Sequence, residues 1–342
     1  MSAPLVLFVT EGGAEVGLGH VTRCLAIARA AAAEGARAAF LTTPDPRLTA
    51  LLDGIPATVL SRQWPDDPTA AIATAGELAP DAIVVDSYKA TADFLAALRR
   101  VAPPVVAVDD VADRALPVDV VVNGGVAAES LAYRRDGDAI FLLGARYALL
   151  DPAYADLPER PVPAAVTRVL ITLGGGRNTA SLAAAVGAAD AVLTEATLDV
   201  VPGPFAGSGD VDAIRRAATR NRLTLHADRL GLRDLILGAD VAVCGAGMTL
   251  YELSAAGTPA VTVCMAENQR PNAEAFARAG VAPMAGWGGD PGLGAAIAAA
   301  LESLVAERDV RAEAAVRARR LVDGRGAIRV ARHALEPARA RR

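Results

Sequence analysis

Leu5-Val6-Leu7-Phe8-Val9-Thr10 is a short apolar run. It is followed by Gly12 and Gly13, then by Gly17-Leu18-Gly19-His20, and then by a helix-patterned stretch to Ala33. A run of this length, rich in β-branched and large apolar residues and bounded by glycines, predicts a strand buried on both faces. The glycines predict a tight turn into the helix. The same order restarts at Val169–Leu173, which leads into Gly174-Gly175-Gly176 and a helical stretch from Asn178 to Asp190. Two copies of strand, glycine turn and helix in one chain predict two parallel sheets covered by helices, each a doubly wound, Rossmann-like α/β domain.

The rest of the chain extends this plan. Further strands are expected at Ala38–Thr42, Ala82–Asp86, Val105–Asp109 and Val118–Asn123, with helices near Pro46–Leu52 and Pro68–Leu78. In the second half, strands are expected at Leu198–Pro202, Leu223–His226, Val241–Cys244 and Ala260–Val263, with a helix near Asn272–Ala279. From about Pro291 onward the composition is rich in Ala, Arg and Glu and reads as helical. Between the halves, Asp151–Thr167 holds Pro152, Pro158, Pro161 and Pro163 and reads as a linker. The expected domains are therefore 1–155 and 165–342.

Composition narrows the function. The chain has 342 residues and is 53% hydrophobic but only 4% aromatic, so its cores must be built from Ala, Val and Leu. That length suits two domains. A net charge of -5 with a pI near 5.4 argues against a nucleic-acid binder, which needs a basic face. Of 34 Lys and Arg residues only Lys89 is lysine, and it follows Tyr88, so no Gly-Lys-Ser/Thr phosphate loop exists. Cys24, Cys244 and Cys264 are scattered, as are His20, His226 and His333, so neither a disulfide framework nor a metal site is expected. The Met-Ser-Ala-Pro start lacks a basic n-region, and no apolar run reaches the ~20 residues of a membrane span. A soluble, cytoplasmic protein without a cofactor is the expectation.

Four segments could carry chemistry. Gly17 and Gly19 open a helix on which His20 sits at the first turn. A helix start offers unpaired N–H groups and positive potential to phosphate, and histidine changes charge near neutrality. Gly245-Ala246-Gly247-Met248-Thr249 repeats that arrangement in the second half, with Glu252 one turn along and able to accept from ribose hydroxyls. Gly174 and Gly175 form a third turn at a strand end. Asn268 and Gln269, after the strand at Ala260–Val263, could read a substrate amide or hydroxyl through their own amides. Asp86, Asp109 and Asp110 also lie at strand ends, where ligands bind in open α/β sheets. His226 and His333, with no glycine or acidic neighbour in sequence, read as structural or exposed.

Val16-Gly17-Leu18-Gly19-His20-Val21-Thr22-Arg23-Cys24-Leu25-Ala26 resembles the opening motif of a bacterial family. That family holds the UDP-sugar hydrolase of pseudaminic acid biosynthesis and the related spore coat polysaccharide biosynthesis proteins. Val85-Asp86-Ser87-Tyr88, Val108 to Arg114, Leu143 to Leu150 and Gly245 to Glu252 resemble later segments of it, as do Gly257, Pro259, Asn268 and Gln269; the likeness extends to about residue 285. The resemblance implies a GT-B architecture, two Rossmann-like domains whose parallel sheets face a central cleft, with UDP held mainly by the second. It implies a metal-independent reaction that releases UDP from a UDP-sugar. His20 would act on the attacking water, with Asp86 and Asp109 as further catalytic candidates. Gly17, Gly19, Gly174, Gly175, Gly245, Gly247, Met248, Thr249 and Glu252 would hold the nucleotide, and Tyr88, Asn268 and Gln269 the sugar. A GT-B glycosyltransferase is the alternative, and a silent sugar-nucleotide-binding protein a second one.

Overall fold

The computed structural model describes residues 3–12, 18–42, 51, 57–61, 64–102, 104–135, 137–174, 178–203, 206–227, 229 and 231–340. The expected helix near Pro46–Leu52 lies almost wholly outside them, as do Gly17, Gly175 and Gly176. The chain divides into two compact units. One is Met1–Ala155 together with Gly324–Arg342, and the other is Asp156–Asp323.

The first unit holds seven parallel strands: β1 (Leu5–Thr10), β2 (Arg37–Thr42), β3 (Ala57–Ser61), β4 (Ala82–Asp86), β5 (Val105–Val108), β6 (Val120–Asn123) and β7 (Ile140–Leu143). Their order in the sheet is β3-β2-β1-β4-β5-β6-β7. The strand order reverses between β1 and β4, which pair from Val6↔Ala82 to Thr10↔Asp86. Side chains alternate across the sheet. Val6, Phe8, Val84 and Val106 pack under α1 (Gly19–Ala33), while Leu7, Val9, Ile83 and Val85 pack under α2 (Pro68–Leu78) and α3 (Ala92–Val101). Each fully buried Val, Leu or Ile contributes about 1.5–3 kcal/mol.

The second unit repeats the plan with six strands: β8 (Arg168–Thr172), β9 (Thr197–Val200), β10 (Arg222–Leu225), β11 (Val241–Gly245), β12 (Ala260–Cys264) and β13 (Met284–Trp287). They are ordered β10-β9-β8-β11-β12-β13, all parallel. Its helices are α4 (Thr179–Val192), α5 (Ser208–Ala217), α6 (Arg233–Gly238), α7 (Met248–Ala256), α8 (Arg270–Arg278), α9 (Leu293–Ala306) and α10 (Arg308–Leu321). Here the order reverses between β8 and β11. Strands β3, β7 and β13 are absent from the sequence reading. All three are short edge or near-edge elements, and β13 reads Met-Ala-Gly-Trp, with little β-branched content.

The last helix departs from the expected division at 165–342. Helix α11 (Gly326–Ala340) presents Ala327, Val330, Ala331, Ala334 and Leu335 on one face, and these complete the first unit's core against α1. The returning chain lies hard against residues 148–154. A Cβ on Gly324 (φ +72°) would stand 2.4 Å from the Tyr154 carbonyl oxygen, and one on Gly326 would stand 2.1 Å from that of Ala148. Only glycine fits either position.

The proline-rich segment is not slack. Three arginines strap residues 157–164 onto the second unit through backbone carbonyls. Arg311, fully buried, donates to Leu304 (2.6 Å), Val305 (3.1 Å), Pro163 (2.7 Å) and Ala164 (3.1 Å). Arg319 reaches Leu157 and Pro158, and Arg160 itself reaches Thr258, Ile236 and Ala239. Burial lowers the Arg311 and Arg160 pKa values, but each guanidinium is met by carbonyl oxygens. Among the described residues no helix is long and apolar enough to cross a membrane.

Asp190 anchors the turn into β10. Its carboxylate accepts from the backbone N–H groups of Thr219 (2.8 Å), Arg220 (3.1 Å) and Asn221 (2.8 Å), and from the Thr219 hydroxyl (3.1 Å). Burial alone would raise its pKa, but these donors hold it down at about 2. The folded value lies below the unfolded carboxylate value, so the stabilisation is full above about pH 4 and fades as pH falls toward 2. Asp190→Ala is expected to cost on the order of 2 kcal/mol at pH 7. Urea titrations followed by Trp287 fluorescence in a Trp64→Phe background check this: the gap between wild type and variant should narrow by pH 3.

Candidate functional site

Both sheets put their informative residues at the carboxyl ends of the strands flanking the order reversal, where open α/β sheets bind ligands. In the first unit the indole of Trp64 donates to the Thr10 carbonyl (2.8 Å) and pins the end of β1. Asp86 ends β4 directly opposite Thr10. Helix α1 opens beside them without a side-chain cap on Leu18, whereas α2 and α3 are capped by Asp67 and Thr91. Several other helices also open without a side-chain cap, so position rather than the open start singles α1 out.

His20 and Arg23 lie one turn apart on α1 and both reach Asp86. His20 Nδ1 stands 2.6 Å from Asp86 Oδ1. The Arg23 fork grips the same carboxylate, Nε to Oδ2 and Nη2 to Oδ1, each at 2.8 Å. Its remaining nitrogen, Nη1, donates to Asp110 Oδ2 (2.9 Å), and the Tyr88 hydroxyl donates to Asp110 Oδ1 (2.8 Å). The Tyr88 ring meets His20 edge-on, centroids 4.7 Å apart. His20, Arg23, Asp86, Asp110 and Tyr88 thus form one closed network. Desolvation works against the charges of Arg23 and Asp110, but their attraction wins: the Arg23 pKa is raised, and Asp110 is held below its ordinary value by Arg23 and by the Tyr88 hydroxyl. At 2.6 Å a proton must lie between Nδ1 and Asp86. Arg23 Nη2 stands 2.9 Å from the same Nδ1, so this one ring nitrogen faces both the carboxylate and the guanidinium.

A second buried carboxylate borders this network. Glu11, just past β1, accepts from the Ser87 hydroxyl and faces Lys89 Nζ at 3.2 Å. The lone lysine of the chain is thus bound to a buried glutamate.

Asp109 is placed differently from the sequence expectation. Its Oδ1 accepts from the N–H groups of Val111 (3.2 Å) and Ala112 (2.8 Å) and from the Tyr133 hydroxyl (3.1 Å). Its Oδ2 lies 3.4 Å from Arg114. Asp109 shapes the loop after β5, and Asp110 is the residue that joins the histidine network.

In the second unit Gly174 follows β8 in the left-handed region (φ +92°). Gly245 ends β11 so close to β8 that a Cβ would stand 3.1 Å from the Leu173 carbonyl oxygen. Gly247 precedes α7, again without a side-chain cap, and Gly247, Met248 and Thr249 are half-buried. Gln269 accepts from the Met265 N–H (3.1 Å), which turns its Nε2 toward Gly247; a Cβ there would be 3.6 Å away. Gln269 therefore sits beside the glycine turn. Asn268 is exposed on the same short turn of helix, and Glu252 is half-buried one turn into α7. His226 is not without acidic company: its Nε2 lies 2.7 Å from Asp199, which also binds Arg168 (2.5 Å). That partner comes from β9, so no local pattern announces it. The three cysteines are buried and unpaired, and among the described residues no group of three or more His, Cys, Asp or Glu could hold a metal ion.

No protein-family model matches the sequence, and no curated protein matches it. Solved structures do match along the full chain. The calicheamicin glycosyltransferase CalG4 is 16% identical over 98% of both chains, with a TM-score of 0.65. Phytolacca americana UGT2, solved with UDP-2-fluoro-glucose and pterostilbene, is 14% identical over 100% of both, with a TM-score of 0.67. S. aureus MnaA, solved with UDP, is 12% identical over 98% of this chain and 97% of that one, with a TM-score of 0.68. At these identities the likeness is one of fold, and the fold is GT-B.

Removing Asp86 breaks a buried ion pair and strands Arg23. Asp86→Ala is expected to cost about 3–5 kcal/mol, read as a fall in the urea midpoint of the Trp64 transition. Asp109→Asn, which keeps an acceptor for Val111 and Ala112, should cost less.

Proposed function

We propose that this chain transfers a glycosyl group from a nucleoside-diphosphate sugar. The observation that carries the reading is His20, held through Nδ1 by Asp86 at the strand-order reversal of a GT-B unit. In this reading Nε2 takes the proton of an acceptor oxygen as that oxygen attacks the anomeric carbon. The bond between that carbon and the diphosphate breaks, and the electron pair leaves with the phosphate oxygen. Backbone N–H groups at the start of α7 and the Gln269 amide receive the developing charge as preorganised dipoles. Glu252 accepts from the ribose hydroxyls. Solved relatives in fold that carry UDP or a UDP-sugar in their complexes support a uridine nucleotide.

In this reading the acceptor is a hydroxyl of a second molecule, and the glycosyltransferases that share the fold support transfer. Water as the acceptor, which makes the chain a UDP-sugar hydrolase, is the second reading. It is favoured by the resemblance of Val16–Ala26 to the opening motif of the pseudaminic-acid hydrolase and spore coat family.

UDP release measured on a panel of UDP-sugars, with and without candidate acceptor alcohols, separates the two. Release that needs an acceptor supports transfer, and release of free sugar without one supports hydrolysis; no release under either condition sinks both. His20→Ala should lose about 10²–10⁴ in kcat while keeping its UDP affinity. Glu252→Ala should weaken UDP by about 1.5–3 kcal/mol for each charge-assisted hydrogen bond lost. Calorimetry with UDP reads both affinities, and an unchanged Kd in Glu252→Ala would remove the ribose assignment.

A further inference from the structure

We infer that Glu11 and Lys89 form a sugar-reading pair, in which the Glu11 carboxylate accepts from one hydroxyl and the Lys89 ammonium donates to the oxygen beside it. The ligand class is a sugar with adjacent free hydroxyls. Whether that sugar belongs to the donor or the acceptor is a question that rests on the proposed glycosyl transfer.

The pair lies at the same strand ends as the His20 network, on the other face of the sheet. Leu7 and Val9 of β1 and Ile83 and Val85 of β4 face α2 and α3. The alternation, carried one step past each strand, brings Glu11 and Ser87 to that side, where they hydrogen-bond. Tyr88, between Ser87 and Lys89 in the chain, touches the His20 ring.

A carboxylate buried short of hydrogen bonds is costly. Glu11 is only 2% exposed. Its Oε1 accepts from the Ser87 hydroxyl. Its buried Oε2 has no hydrogen-bond donor among the described residues. Lys89 Nζ faces Oε2 at 3.2 Å, as an ion pair without hydrogen-bond geometry. This oxygen therefore keeps its capacity to accept from a hydroxyl.

The backbone that carries Lys89 is fixed. Its N–H donates to Ser87 Oγ (2.9 Å), and Arg114 donates to the Ser87 carbonyl (3.2 Å). The Lys89 side chain is 56% exposed, and an ammonium on a flexible stem has three hydrogens to direct. Two other cations at the ends of β4 and β5 are committed. Arg23, 14% exposed, serves Asp86 and Asp110. Arg114, 21% exposed, serves Asp109, Asp113 and the Ser87 carbonyl. Of these three, Lys89 is the one turned to solvent.

A buried acceptor short of a donor thus stands 3.2 Å from a donor with hydrogens to spare. A hydroxyl both donates and accepts, so two on adjacent carbons answer the pair. An anion would answer Lys89 alone and would be repelled by Glu11, so the pair favours neutral hydroxyls over a carboxylate or a phosphate. As the sugar enters, one hydroxyl takes the open site on Oε2 and Nζ turns to the neighbouring oxygen.

Because Lys89 is the only lysine, protein grown on lysine carrying ¹³C at Cε gives one NMR signal that needs no assignment. UDP, UDP-glucose, UDP-N-acetylglucosamine and methyl glucoside, the last with and without UDP, are added in turn to the full chain. A signal moved by a UDP-sugar but not by UDP puts the donor sugar on the pair. A signal moved by methyl glucoside puts a sugar acceptor there. A signal that none of the sugars moves, or that UDP alone moves as far, overturns the inference. Lys89→Met and Glu11→Gln should each weaken the sugar that moves the signal by about tenfold, with UDP affinity unchanged. The double variant should lose little more than either single one, as for one shared contact. A pair that merely braced its loop would lower the melting temperature and leave these affinities alone, which also overturns the inference. Should Glu11→Gln not fold, Lys89→Met, at an exposed side chain, carries the test. Turnover of a UDP-sugar with the signal unmoved sinks the pair and keeps the proposed function. A methyl glucoside shift in a chain that binds no UDP keeps the pair and sinks that function.

Discussion

A carboxylate taken out of water at the end of a parallel strand has to be met by positive charge, and the first unit is arranged around how Asp86 is met. The strand-order reversal leaves room above β1 and β4 for a helix to open there, and α1 fills it with His20 and Arg23 one turn apart. One turn of helix spacing brings both to a single carboxylate, and the second face of the guanidinium reaches on to Asp110 and Tyr88. The side chains that carry the proposed chemistry are thus the ones that compensate a buried charge. Stability and reactivity are served by the same bonds, so substitutions here affect both.

The second unit solves a different problem with the same topology. Its strand ends hold few charges. What it offers at β8 and β11 is backbone: a glycine close against the neighbouring strand, a helix start without a side-chain cap, and an amide oriented by Met265. Such a surface suits an anion whose own charge is the strongest in the site. Arginine, abundant in the chain, serves largely elsewhere, as the straps from Arg160, Arg311 and Arg319 to backbone carbonyls illustrate. Composition alone describes these residues as surface charge; the fold uses Arg311 as a buried brace.

Sequence legibility followed periodicity and locality. The central strands β1, β4, β8 and β11 are runs of Val, Leu and Ile bounded by turn residues, and their bounds are legible to within a residue or so. Edge strands such as β7 and β13 pack on fewer neighbours and need less apolar sequence, so they leave little signal. His20 and Asp86 stand out because each ends or begins an element at a glycine turn or strand tip. Arg23 is visible only once His20 is placed, as its partner at one helical turn. The choice between Asp109 and Asp110 could not be made by proximity in sequence, because adjacent residues after a strand point to opposite sides. Only the partners, Val111 and Ala112 for one and Arg23 for the other, separate them. His226 pairs with a residue two strands' worth of sequence away, and nothing local predicts that.

The return of the last helix bears on the order in which the chain can assemble. The face of the first sheet that includes Val6, Phe8 and Val84 is closed in part by α11, which is synthesised only after the whole second unit. Of the two units, the one begun earlier is therefore completed after the other, and until then one wall of its core is missing. Its closure spans residues 156–323, a loop whose ends would be entropically costly to join in a disordered chain. Once the inserted unit has folded, that cost largely falls away. Tyr154 and Gly324 lie against each other where the chain leaves and re-enters, so the folded insert delivers the terminal helix to the position it must occupy. On this account the second unit is a folding template for the first, and a chain stalled short of Gly326 would present an unfinished apolar face to the cell.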